Sequence, residues 1–217
     1  TPLQLLATSG LVSAVGLTQS SSNPYVTGNG PRLVAAKVNV KGKMTEVALL
    51  TTFWDGIIAL DANTGQVVWK KEYASAATLP TPGQDPLCMG GQTADPQLVP
   101  AGPGKYTIFS VSGDGMLHQM NLADGEDIAP PAKFVPANGK VWSLNVINGV
   151  VYTHSSQGCG GNPNHFYAFD LATKKVGNWG PAGGGMWGRA GPAYSAKTGA
   201  LYTGTGDGQW NPDNGQY

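Results

Sequence analysis

Apolar and polar positions alternate in short runs along most of this chain. Residues 56–60, Gly-Ile-Ile-Ala-Leu, form an apolar run that ends at Asp61. Asn63-Thr64-Gly65 follow, and a second run, Gln66-Val67-Val68-Trp69, leaves the reversal. Asn and Gly tolerate positive φ, so the spacing predicts a tight hairpin with strands on both sides. The Asp61 and Thr64 side chains can bond backbone groups left free in the turn, and Trp69 offers a large flat ring to a neighbouring sheet.

The pattern repeats. Asn121-Leu-Ala-Asp124-Gly125 aligns with it, with Asn121 for the Asp, Asp124 for the Thr and no Trp after it. Asp170-Leu-Ala-Thr173 is the third copy, with Lys174 replacing Gly and Trp179 one position late. The spacings, 60 residues from Asp61 to Asn121 and 49 from there to Asp170, suit four-stranded units with inserted loops. Further alternating runs precede each copy, at 33–40 and 46–53, at 106–112, and at 141–145 and 150–154. A β-sandwich with chance hairpins is the competing reading of the same strands.

Composition narrows the class. The 217 residues suffice for one sizeable core, and charged residues make up only 12% with a formal net charge of zero. Thirty-two Gly and 16 Pro fall at turns, which fits a turn-rich all-β chain. Without basic runs the chain is not expected to bind nucleic acid. The most apolar N-terminal stretch, 3–17, is broken by Thr, Ser and Gly, so no membrane span is predicted. The first residue is Thr rather than Met and no basic leader precedes the apolar stretch, which reads as a processed or engineered start. Two cysteines fix no compartment by count.

The series Ala-x-Asp-x-x-Thr-Gly-x-x-x-Trp resembles the tryptophan-docking motif of quinoprotein-type β-propellers. From 31 to 217 the chain is similar to the N-terminal half of a quinoprotein alcohol dehydrogenase, a pyrroloquinoline quinone enzyme, with 1–30 a partly irregular leading segment. The resemblance implies an all-β fold of about three and a half four-stranded blades, a partial propeller where the family closes with about eight. Strand edges left open invite pairing, so the expected partner is the remainder of its own propeller, in a longer polypeptide, or another chain. The docking residues it implies are Asp61, Thr64, Gly65, Trp69, Asp170, Thr173 and Trp179.

Met186-Trp187-Gly188, Ala193-Tyr194 and Tyr202-Thr-Gly-Thr-Gly206-Asp207, followed by Trp210-Asn211, resemble the family's cofactor segment. By that likeness Trp187 would lie under the quinone ring, and Asp207 with Asn211 would hold calcium, a cation that takes oxygen ligands. Other family positions are altered. The second calcium ligand, a Glu, falls on or next to Cys159, and one Cys of the family's adjacent pair is retained, at Cys88. The Arg expected just beyond it is missing from Gly90–Thr93, and the catalytic Asp would lie past residue 217. The same alignment puts Cys88 and Cys159 on loops at one end of successive blades. It thereby implies a disulfide in an oxidising compartment, with two buried free thiols as the alternative.

Other clusters carry less. His154, Cys159 and His165 match no zinc spacing, and Asp207, Asn211, Asp213 and Asn214 are also ordinary turn residues. Gly183–Gly185 lacks the strand and helix of a phosphate loop, Trp54 reads as a turn aromatic, and Trp142 as core. The reading favoured is an extracytoplasmic, periplasmic or secreted propeller with a binding or scaffold role and no cofactor. It is like the assembly lipoprotein of the outer-membrane β-barrel machinery. The alternative is a quinone- and calcium-dependent alcohol or sugar dehydrogenase.

Overall fold

The computed structural model describes residues 34–52, 55–73, 88, 91–180, 184–186 and 191–206. These form fifteen strands in antiparallel sheets, with one short 3-10 turn at Cys159–Gly161 and no α-helix among the described residues. The first sheet runs β1 (Val34–Val40), β2 (Lys43–Thr52), β3 (Gly56–Asp61), β4 (Val67–Glu72), in that order. The second repeats the order with β5 (Gln97–Pro100), β6 (Tyr106–Val111), β7 (Met116–Asn121) and β8 (Asp127–Lys133). In the third, β10 (Asn145–Ile147), β11 (Val150–Ser156), β12 (Phe166–Asp170) and β13 (Val176–Trp179) follow suit, and β9 (Lys140–Val141) pairs with the end of β11. β14 (Ala193–Tyr194) and β15 (Leu201–Tyr202) form a two-stranded start of a fourth. Four-stranded meanders repeated in this way are the blades of a β-propeller, and they do not close into a ring.

The blades stack face to face, and the alternation of each strand supplies both faces. In β2, Val47 and Leu49 join Ile57, Ala59, Ile108 and Met120 in the core between blades 1 and 2, while Ala48 and Leu50 turn to the opposite face. In blade 2, Phe109, Val111 and Leu117 turn away from blade 1 and join Val151, Tyr167 and Phe169 of blade 3. A strand buried on both faces has to be apolar at consecutive positions, which is why β2 reads Val-Ala-Leu-Leu rather than strictly alternating.

The three outer hairpins close alike. Asp61 Oδ1 accepts the N–H groups of Asn63 (2.9 Å) and Thr64 (3.2 Å), and Asp170 Oδ1 those of Ala172 (2.9 Å) and Thr173 (2.8 Å). Asn121 Oδ1 takes the Ala123 N–H, and its amide donates to Asp124. Each turn then needs one residue in the left-handed region, filled by Gly65 (φ 72°), Gly125 (φ 75°) and Lys174 (φ 61°).

Trp69 reaches blade 2. Its Nε1–H donates to the Leu122 carbonyl at 2.9 Å, and its ring covers Gly125 so closely that a Cβ there would lie 2.7 Å from a ring carbon. The indole is half-buried rather than enclosed. Its placement depends on a bulge that lets Trp69 face Ala59 while Val67 faces Leu60, leaving Val68 extra. β13 has no bulge: Gly177 faces Ala168, and Trp179 faces Phe166. Trp179 therefore occupies the place of Lys71 rather than that of Trp69, and it is 57% exposed. This corrects the expected equivalence of the two tryptophans. Beside Trp69, Lys71 bonds Asp127 of blade 2 at 2.6 Å.

Candidate functional site

The hairpin turns at 61–65, 121–125 and 170–175 lie at one end of the sheets. The β2–β3, β6–β7 and β11–β12 connections lie at the other, together with the segments leading into β5 and β10. Buried polar side chains gather at that second end: Thr51, Thr52, Asp55, Gln92, Ser110, Ser112, His118, Ser143, Thr153, His154, Ser155 and Ser156. Burying hydroxyls and amides is unfavourable unless they are bonded, and at this end they are bonded across loops and blades.

The disulfide lies at this end. Cys88 and Cys159 are joined, with Cα atoms 5.3 Å apart and a sequence separation of 71. Cys88 lies between β4 and β5, and Cys159 begins the turn within the β11–β12 loop, so the bond ties the blade 1–2 connection to blade 3. The segment after Cys88 continues the stitching. The Gln92 N–H donates to the Thr52 carbonyl of blade 1 (3.2 Å), and its side-chain oxygen accepts from Ser110 of blade 2 (2.7 Å). Thr93 Oγ1 donates to the Val141 carbonyl at 2.7 Å and accepts the Val141 N–H at 3.1 Å. Asp95 and Ser143 form a parallel bridge. Gln92, Thr93 and Asp95 thus bond three blades.

His154 belongs to the same junction. Its Nδ1 lies 2.8 Å from the Met186 carbonyl, the Met186 N–H donates to Ser155 (3.4 Å), and Gly185 bridges Gly206. Burial, the larger cause, holds its pKa below the usual histidine value, against the opposing hydrogen bond to Met186. Trp142 Nε1–H donates to Ser156 Oγ, and the Lys140 ammonium lies 5.0 Å from the Trp142 ring. The sequence pattern missed Gln92 and Thr93, because one glutamine and one threonine in a loop carry no spacing signal. It also missed β5.

A second buried polar group closes the β6–β7 turn. His118 Nε2 lies 2.8 Å from Ser112 Oγ, which donates to Asp114, and the His118 ring stacks on Tyr73 at 4.0 Å. Ser112 is 2% exposed and His118 6%, and the pair ties the two sides of the β6–β7 turn. Asp55 of blade 1 takes the Gly113 N–H at 2.8 Å, another tie between blades.

Trp187, Asp207 and Asn211, the residues expected to support a quinone and calcium, lie outside the described residues, as do Trp54 and the leading segment 1–30. Among the described residues no group of three His, Cys, Asp or Glu side chains is placed to hold a metal ion. At the position where the resemblance expects a calcium-binding carboxylate, Cys159 offers a disulfide sulfur, which is a poor donor for a hard cation. No helix among the described residues is long and apolar enough to cross a membrane.

The chain matches no protein-family model, and no curated protein matches it in sequence. Solved structures do resemble its fold. A europium-containing methanol dehydrogenase aligns over 86% of this chain and 40% of its own length, at 15% identity and a TM-score of 0.50. Quinohemoprotein alcohol dehydrogenase from Comamonas testosteroni aligns over 81% of this chain and 30% of its own, at 16% identity and 0.48. BamB from Moraxella catarrhalis aligns over 82% and 66%, at 17% identity and 0.33. The chain spans less than half the length of the two dehydrogenases, and likeness at these identities concerns the fold alone.

Proposed function

We propose that this chain is part of a quinoprotein-like β-propeller that works outside the cytoplasm in a binding or scaffold role. The observation that carries the reading is the Cys88–Cys159 bond. It lies at the end of the sheets where the resemblance would seat a quinone, on or next to the position where a calcium ligand is expected. A disulfide between blades also suits an oxidising compartment. The stitched loops give that end a fixed shape, as a recognition surface needs, since less ordering is then required on binding.

The alternative, a quinone- and calcium-dependent dehydrogenase, rests on Trp187, Asp207 and Asn211. One experiment separates the two. The oxidised protein is incubated with pyrroloquinoline quinone and calcium and passed through gel filtration, and dye-linked alcohol oxidation is assayed. The scaffold reading expects no quinone absorbance on the protein peak and no activity. Stoichiometric retention of quinone would overturn it.

A further inference from the structure

Blades 1 and 2 do not meet along their whole length. At the hairpin end they leave an open cavity of about 920 Å³ between them, within the range of clefts that hold small organic ligands. The strands of both blades are described throughout, so the cavity does not depend on the fourth. Val40, Val68, Trp69 and Tyr106 wall it and pack on the buried core beneath, and Ile128, 55% exposed, adds a further apolar side chain. The lining reaches from β1 to β4 of one sheet, which spans about 14 Å at the usual strand spacing. The apolar wall is therefore long enough for an extended acyl chain.

The charged side chains of the lining are Lys41, on the turn between β1 and β2, Lys105, on the turn between β5 and β6, and Asp124 of the β7–β8 turn. The carboxylate is committed. Asp124 Oδ1 accepts the Glu126 N–H and Oδ2 the side-chain amide of Asn121, each at 3.0 Å. Among the described residues neither ammonium has an ion-pair partner. The two lysine-bearing turns are held together, since the Asn39 N–H donates to the Gly104 carbonyl at 3.2 Å. A cationic ligand would be repelled here and a neutral one would leave the lysines unused. An anion would gain charge-assisted hydrogen bonds from both.

We infer that this cavity binds an amphipathic organic anion, a medium-length acyl chain ending in a carboxylate. The chain lies along Val40, Val68 and Tyr106, and the carboxylate is met by Lys41 and Lys105. Covering the apolar wall supplies affinity, and the two ammonium groups select the sign of the head group. This inference does not depend on the scaffold reading, because the cavity lies at the hairpin end and the disulfide at the other.

Titration calorimetry of the full chain with decanoate, kept below the concentration at which it forms micelles, should show a single saturable site. Decan-1-ol, with the same chain and no charge, should bind about tenfold more weakly, the scale of a hydrogen bond to a charged group. Lys41→Gln combined with Lys105→Gln should weaken decanoate by about the same factor and leave decan-1-ol unchanged, a pattern that loss of folding would not give. Ile128→Asp, at an exposed position, should weaken both ligands. Absence of saturable decanoate binding overturns the proposal, and so does binding that the double lysine variant leaves unchanged. Sedimentation of the chain with phosphatidylglycerol vesicles while free decanoate stays unbound overturns it as well, since it places the charge recognition at a membrane surface.

Discussion

At the scale of single residues, the contact of Trp69 with Gly125 concentrates several constraints in one place. The glycine must adopt φ 75° and must lack a Cβ. Gly125→Ala should therefore cost on the order of 2–4 kcal/mol, from left-handed strain and from displacing the ring. Trp69→Ala should cost about 2–3 kcal/mol, the low end for an aromatic truncation because the indole is half-buried. In the Trp69→Ala background the ring is gone, and Gly125→Ala should fall to about 1 kcal/mol of backbone strain. Urea unfolding of the four proteins closes the cycle, and strict additivity would show that the two residues do not touch. His118 supplies a second test. Burial, the largest cause, pushes its pKa down to about 4, against the opposing pull of Asp127 and Asp114. A depressed histidine takes up protons more readily in the unfolded chain. Its neutral form is thus compatible with full stability above pH 6.5, and stability is lost as pH falls from there toward 4. His154 is shifted in the same direction. Melting temperatures followed from pH 7 to pH 4 should fall, and His118→Gln should flatten part of that fall.

Among the elements, the outer hairpins were the most legible in sequence. Their Asx and Gly positions encode local hydrogen bonds and a left-handed residue, which act within five residues and need no tertiary context. Lys174 adopts φ 61° without being glycine, and the turn survives because Asp170 Oδ1 still bonds Ala172 and Thr173. Asp170→Ala should accordingly destabilise blade 3 through the loss of these two turn bonds. Hydrogen exchange should locate the loss in β12 and β13, and uniform loss over all blades would contradict so local a role. Trp179 was misaligned because spacing counts residues, whereas pairing counts ladder positions, and the bulge at Val68 separates the two. β5 escaped notice because Gln97-Leu98-Val99-Pro100 is short and ends in proline. The site was less legible still. Its buried hydroxyls and amides answer to neighbours in other blades, which no local pattern records, and the link from Cys88 to Cys159 came only through a family likeness.

For the molecule as a whole, stability rests on blade-to-blade cores joined at one end by Gln92, Thr93 and the disulfide. Replacing both cysteines by alanine should cost about 2–4 kcal/mol through the freed unfolded chain, and the oxidised and reduced wild-type proteins should differ by the same amount in urea. Equal midpoints would mean that the bridge adds nothing to the noncovalent stitching. The bridge also has a mechanical consequence. A pull applied at the two termini cannot extend the stretch between Cys88 and Cys159, because the load bypasses it through the sulfur atoms. With the bridged residues 71 positions apart and ~3.4 Å of reach per residue, about 240 Å of contour length stays hidden from the force. In single-molecule stretching, blade 2 would then bear no tension at all, and those 240 Å would appear as added extension only after a reductant reached the bond.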